Sequence, residues 1–299
     1  RADDLVQEQA EPENYALTVF TAQERKEWEP VIKEFEERTG WNVRVETGSA
    51  KEMLSQLEKE EADWDVAFGV SADALEEGKE YWQTGKDAWT GYSAVSFVIL
   101  YNTNVVTYRD LPTGWDSLLE PRWKGRVAVP DPLKSDMAAS VLTEAAKNSE
   151  KEEFLDLLAE NMQYQMPETF KEVEQGISDG RYSIGVTSEE AAKAMLAAGQ
   201  DVDYIDPEEG ECFFEDGTAI RKRTPNLDAS EAFVTYTTCD DTKWLLRTQL
   251  LRQPAEDVAA ENDRSDEDLK QRYSRQQEVL NIWKLIMEEK SGSAHEQEQ

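Results

Sequence analysis

Histidine is nearly absent from this 299-residue chain and cysteine is scarce, with one His and two Cys. Cys212 and Cys239 lack CxxC spacing, and His295 lies in the polar closing stretch "SGSAHEQEQ". A zinc site cannot be assembled from those three residues, and no other metal site is expected. A disulfide between the cysteines and two separately buried thiols both fit the sequence, the former only in an oxidising compartment. No Walker loop and no GxSxG occurs, and no cofactor is expected. Long apolar runs are missing as well. Stretches such as "AVSFVIL" have strand length, well short of the ~20 residues of a membrane-spanning helix.

Positive charge is in short supply. Against 64 Asp and Glu stand 32 Lys and Arg, a formal net charge of −32. Such a chain repels nucleic acids and anionic membrane surfaces, which excludes nucleic-acid readout. Carboxylates are too abundant for any one pair to mark a glycosidase. With 39% hydrophobic and 32% charged residues, the chain reads as globular with a highly charged surface, and it is long enough for two cores. The opening "RADDLVQEQAEPENY" reads as a flexible leader, suited to a chain trimmed of an export signal or to a spacer beside a lipid anchor.

What the sequence does contain is alternation. "ALTVF", "WNVRVE" and "WDVAFGV" read as strands, each followed by a helical pattern: "AQERKEWEPVIKEFEERTG", "AKEMLSQLEKEEA" and "SADALEEG". Gly40 is placed to stop the first helix. This βαβαβα order predicts an α/β fold with a parallel sheet covered on both faces, and ligands then sit beyond the carboxyl ends of the strands. Three junctions fall there: Thr21-Ala22-Gln23, Gly48-Ser49-Ala50 and Val70-Ser71-Ala72. Each is expected to begin a helix, with short side chains that leave backbone N–H groups open to an anion. After the β-rich "WTGYSAVSFVILYNTNVV" a second α/β unit follows. Its strands are "GRVAVPDP" and "YSIGVT", and the passage "VDYIDPEEGECFFEDGTAIRK" reads as extended throughout. The closing region reads as helical.

The block "YNTNVVTYRDLPTGWDSLLEPRWKGRVAVPDP" resembles the extracytoplasmic solute-binding proteins of ABC transporters. The residues that carry the likeness are Tyr101-Asn102-Thr103, Leu111-Pro112, Trp115, Pro121, Trp123-Lys124-Gly125 and Pro130-Asp131-Pro132. The nearest group holds the ferric-ion-, sugar-phosphate- and phosphonate-binding members. "LTVFTA", "GSAKEML", "GRYSIGVTSEEAA" and "DPEEGECFFEDGTAI" extend the likeness along most of the chain. The resemblance implies a type II two-lobed clamshell, two mixed sheets flanked by helices with two β-strand hinge crossings. Lobe one would comprise 14–100 plus 218–290 and lobe two 101–217, with flexible tails at 1–13 and 291–299. The crossings would lie near 96–106 and 204–219.

Ferric-binding members carry an adjacent tyrosine pair near the segment matching "YSIGVTSEEAA". This chain has Thr187-Ser188-Glu189-Glu190 there, and Tyr164, Tyr182 and Tyr204 are scattered. Ferric iron is accordingly the alternative, not the first expectation. The expected solute is a small anion, phosphorylated or a phosphonate, held by Ala22, Gln23, Ser49, Ala50, Ser71, Ala72, Ser135, Asp136, Met137, Thr187, Ser188 and Glu189. Asp136 departs from the small residues that relatives often carry at that point, and Trp89 is either a cleft aromatic or a core one. The resemblance implies a monomeric binding protein outside the cytoplasmic membrane, not an enzyme, handing its solute to an ABC permease. Presentation to a sensor histidine kinase is the alternative.

Overall fold

The computed structural model describes residues 14–85, 87–262 and 264–297. The first half follows the expected alternation: β1 (Leu17–Thr21), α1 (Arg25–Thr39), β2 (Val43–Thr47), α2 (Ala50–Glu58), β3 (Val66–Ser71) and α3 (Ala72–Glu77). The long β4 (Thr90–Asn102) leads to β5 (Val127–Ala128), α4 (Asp136–Asn148), α5 (Phe154–Asn161), α6 (Phe170–Ser178), β6 (Ile184–Ser188), α7 (Glu189–Ala197) and β7 (Val202–Ile205). The chain closes with β8 (Phe213–Ile220), α8 (Leu227–Thr237), α9 (Asp240–Thr248), β9 (Gln253–Pro254) and α10 (Asp266–Gln297).

Gly40 ends α1 in the left-handed region, its N–H reaching the Glu36 carbonyl at 2.8 Å. Ser49 opens α2 with a capping box: its hydroxyl accepts from the Glu52 amide while the Glu52 carboxylate accepts from the Ser49 amide. Gly48 is required for a different reason. A β-carbon there would collide with the Glu52 carboxylate and the Phe20 ring.

The strands run β2-β1-β3-β8-β4-β6-β5, with β7 and β9 also on β4. Parallel β1, β2 and β3 meet antiparallel β8 and β4, so the sheet is mixed, as the resemblance implied. The two expected sheets share one strand. Residues 90–96 of β4 pair with β8, whereas 97–102 pair with β6 and β7. The first crossing therefore falls at Ser96–Phe97. The return differs from the continuous extended run expected from 202 onward. β7 and β8 are separate strands joined by 206–212, which contains Pro207 and a left-handed Gly210. A proline interrupts backbone pairing, which accounts for the break.

Each half of the sheet is buried on both faces. In the first half Phe35, Phe68 and Phe233 pack on one face and Met53, Trp64 and Trp82 on the other. In the second half Leu142, Phe154 and Ile184 form one core and Val173, Ile177 and Met195 the other. Trp89 belongs to the core reading, since it packs with the Trp64 cluster and donates to Glu76 at 2.9 Å.

Helix α10 departs from the expected division. Its buried residues Leu269, Arg272, Gln276, Val279, Trp283 and Ile286 recur every three or four positions, the stripe of an amphipathic helix. Val279, Trp283 and Ile286 lie in the core of the second half with Phe154 and Leu158, although the sequence placed 218–290 with the first. Arg272 bridges Asp73 on α3 at 3.4 Å and Glu144 on α4 at 3.1 Å, so α10 holds to both halves. Residues 291–297, expected as a flexible tail, continue this helix, because nothing after Glu289 breaks it with proline. The remaining tail residues, 1–13 and 298–299, lie outside the described ones. Cys212 and Cys239 are free thiols in different cores, which settles the pairing question in favour of separate thiols.

Burial pushes the Asp73 carboxyl up to about 6 from 3.8, against the opposing pull of Arg272. The folded protein then holds this proton more tightly than the unfolded chain, so stability falls as pH rises through that interval. Relative to Asp73→Asn, the wild type is expected to lose up to about 3 kcal/mol between pH 4 and pH 7. Urea denaturation across that range checks it; a constant difference between the two proteins contradicts it.

Candidate functional site

Between the two halves lies a cavity of about 480 Å³, walled by the ends of β1, β3 and β6 and by the starts of α2 and α4. Of the expected residues, Ala22, Gln23, Ser49, Ser71, Ser135, Asp136, Met137, Thr187 and Ser188 line it. Three do not. Ala72 is buried within α3, and Glu189 turns toward Ser96 and Lys193. Ala50 is buried behind the wall, and its amide points across the cleft.

Each serine hydroxyl accepts from an amide of its own helix, which leaves its O–H able to donate to a solute. Ser49 accepts from the Glu52 amide at 3.0 Å, Ser71 from Ala74 at 3.3 Å, Ser135 from Ala138 at 3.2 Å and Ser188 from Ala191 at 3.2 Å. Each is the N-cap of its own helix. The first junction begins no helix at once. Thr21 Oγ1 accepts from the Gln23 amide at 3.2 Å, and α1 starts only after Glu24, which makes no side-chain cap.

The amides at the start of α2 are occupied by the chain's own carboxylates. Glu52 Oε2 accepts from Ser49 N at 3.1 Å, and Asp136 Oδ2 accepts from Ala50 N at 2.9 Å. Thr187 Oγ1 donates to Glu174 Oε2 at 2.9 Å.

The floor is a polar network that local sequence patterns did not reveal. Arg252 Nη1 donates to Asp216 Oδ2 at 3.0 Å and to Ser93 Oγ at 3.1 Å, and its Nε reaches Glu27 Oε1 at 3.3 Å. Gln23 Nε2 donates to Asp216 at 3.2 Å and also meets the Tyr92 hydroxyl. Gln23 packs against Gly69, where a β-carbon would come within 2.5 Å of the Gln23 side chain and the backbone φ is +65°. The available signals were a lone aspartate in the buried strand "CFFEDGTAI" and a lone arginine in "LLRQP". A charge among apolar neighbours calls for a buried partner.

Burial works against the Arg252 charge, but Glu27 and Asp216 outweigh it and hold the guanidinium pKa above its usual value. Burial raises the carboxyl pKa of Asp216, Asp136 and Glu174; Arg252, the Ala50 amide and the Thr187 hydroxyl respectively oppose the rise.

The lining carries Glu24, Glu27, Glu52, Asp136, Glu174 and Asp216 against Lys26, Lys134 and Arg252. Those cations already have partners. Lys26 lies 3.5 Å from Glu24, Lys134 lies 2.6 Å from Glu168, and Arg252 is shared by Glu27 and Asp216. Asp136, Glu174 and Glu52 form no ion pair among the described residues, although the charges of Lys26 and Lys171 oppose the rise in the Glu174 pKa. No tyrosine lines it among those residues.

A cleft between two halves of a sheet joined through crossing strands is the architecture of the type II periplasmic binding proteins. Solved structures of that class superpose on most of the chain. The ferric binding protein from Campylobacter jejuni does so with TM-score 0.72 and 17% identity, over 90% of this chain and 99% of that one. The periplasmic binding protein P5PA gives 0.74 and 17%, over 92% and 100%. AfuA from Actinobacillus pleuropneumoniae, with fructose-6-phosphate bound, gives 0.73 and 14%, over 91% and 98%. The bacterial extracellular solute-binding protein family matches residues 68–277, more than half of the sequence, and the chain belongs to that family. No curated protein matches the sequence significantly.

Replacing Arg252 with Gln would strand Asp216 and Glu27 without their cation. The expected cost is about 3–5 kcal/mol of stability, read from urea denaturation at neutral pH. A loss below about 1 kcal/mol would show that the floor does not depend on this pair.

Proposed function

We propose that this chain is the extracytoplasmic solute receptor of an ABC importer, and that its solute carries a cationic group held in the interlobe cleft. The observation that carries the second part is the imbalance of the lining: Asp136, Glu174 and Glu52 lack cation partners, whereas Lys26, Lys134 and Arg252 are paired. A solute ammonium would supply the missing charge in a partly dry cleft, where charge-assisted hydrogen bonds are strongest. Its other polar groups would meet Gln23 and the amides at the helix starts. The two halves of the sheet act as the lobes, and solute binding biases an open–closed equilibrium that a permease reads. A sensor kinase would read the same closure.

The proposal departs from the expected anion in the sign of the solute charge. One observation favours an anion as the second reading: the starts of α2, α4 and α7 all border the cavity, and helix N-termini favour negative charge. Against it, an anion would have to displace the Asp136 carboxylate from Ala50 and meet Glu174 without a free lysine or arginine. Ferric iron is the further alternative. It would need ligands other than tyrosine from this lining.

A thermal-shift panel at physiological salt separates the readings. It holds polyamines, thiamine, hexose phosphates, aminoethylphosphonate, inorganic phosphate and ferric citrate. A solute at about 100 times its Kd adds roughly 2.7 kcal/mol, a readily visible shift. The expected hit is a cationic solute whose affinity falls about ten- to hundredfold in Glu174→Gln. Hits confined to phosphorylated compounds, unchanged in that variant, would overturn the cationic reading.

A further inference from the structure

Asp136 stands across the cleft from the helix start that it occupies. Its Oδ2 accepts from the amide of Ala50, a residue 86 positions away and the first of α2, at 2.9 Å. Asp136 is also the first residue of α4, after the Ser135 cap. One carboxylate thus lies between the N-termini of a nine-residue helix and a 13-residue helix that face each other. Each terminus carries partial positive charge and amides without partners inside the helix, the features that draw phosphate and carboxylate ligands. Here the anion is part of the chain. Glu52 takes the neighbouring Ser49 amide at 3.1 Å, which leaves α2 with two carboxylates at its start.

We propose that Asp136 is a built-in anion that sets the specificity of the cleft, filling the Ala50 amide against phosphate and carboxylate solutes while its charge selects for a cation. The inference rests on this cleft being the solute site. A competitor fixed within the fold acts at an effective concentration of order millimolar or higher, so it weakens the binding of a soluble anion at this amide. The remaining negative charge, not the hydrogen bond, then faces the solute. Asp136 is therefore the residue at which an anion-binding cleft of this architecture becomes a cation-binding one.

The test is Asp136→Ser, which keeps a small polar residue at the helix start and removes the carboxylate. Isothermal titration with inorganic phosphate and glucose 6-phosphate is expected to show binding at least about tenfold tighter than in wild type, the factor that one charge-assisted hydrogen bond commands. Ala50→Pro, tolerated at the first helical position, removes only the amide donor. In the double variant the gain should vanish. Should Asp136→Ser fail to fold by circular dichroism, Asp136→Ala carries the test, because it removes both the charge and the acceptor and must also raise phosphate affinity. Equal phosphate affinity in wild type and the folded variant, or a gain that survives Ala50→Pro, overturns the assignment. The two proposals fail separately. A polyamine that binds wild type while Asp136→Ser gains no phosphate binding sinks this inference alone. A phosphate gain with no cation binding to wild type keeps Asp136 as the group that fills the Ala50 amide, but sinks the cationic reading of the solute and with it the selection for a cation.

Discussion

One strand fixes the frame on which everything else is hung. β4 is hydrogen-bonded to β8 over its first half and to β6 and β7 over its second, so both halves of the sheet share a single backbone. It is buried from Tyr92 to Asn102. The cleft opens beside the point where its pairing changes, with Val95 and Phe97 in the wall. Helix α10 adds a second tie through Arg272, whose partners Asp73 and Glu144 lie on helices of opposite halves. The buried charges there are costly unless paired, so removing one partner would strand the others.

Charge, more than shape, gives the cleft its character. The chain as a whole carries −32, yet surface carboxylates act over only about 8–10 Å at physiological ionic strength. What a solute meets is the local arrangement. Arg252 is consumed by Asp216 and Glu27, the two lysines of the rim are paired, and Asp136 and Glu174 are left in a partly desolvated space. Burial raises the carboxyl pKa of both, and a cation beside them would reverse that cost.

Much of the architecture was legible because it is local. Strand and helix periods and the Gly40 stop need only neighbouring residues, and the Trp- and Pro-rich block carried the family likeness. The small residues at strand ends located most of the cavity wall, Ser49, Ser71, Ser135 and Ser188 among them. Their roles were less legible. Each hydroxyl caps its own helix, the reading that the sequence favours for any one serine taken singly. Contacts across the fold were invisible: Arg252 finds Glu27 from 225 residues away, and Asp136 finds Ala50 from 86. The expectation of an anion was read from the helix starts alone, without the carboxylates that occupy them. The placement of α10 was missed for a related reason: an apolar stripe announces burial but not against which core.

The central claim concerns where and with which charge the solute is held. The most direct measurement is a crystal structure of the protein with the solute it captures. The account predicts a cationic group within hydrogen-bond distance of Glu174 and the Asp136 carboxylate, with Asp136 still bonded to the Ala50 amide. A solute anion seated on that amide with Asp136 swung away, or a solute bound outside the cleft, would contradict it.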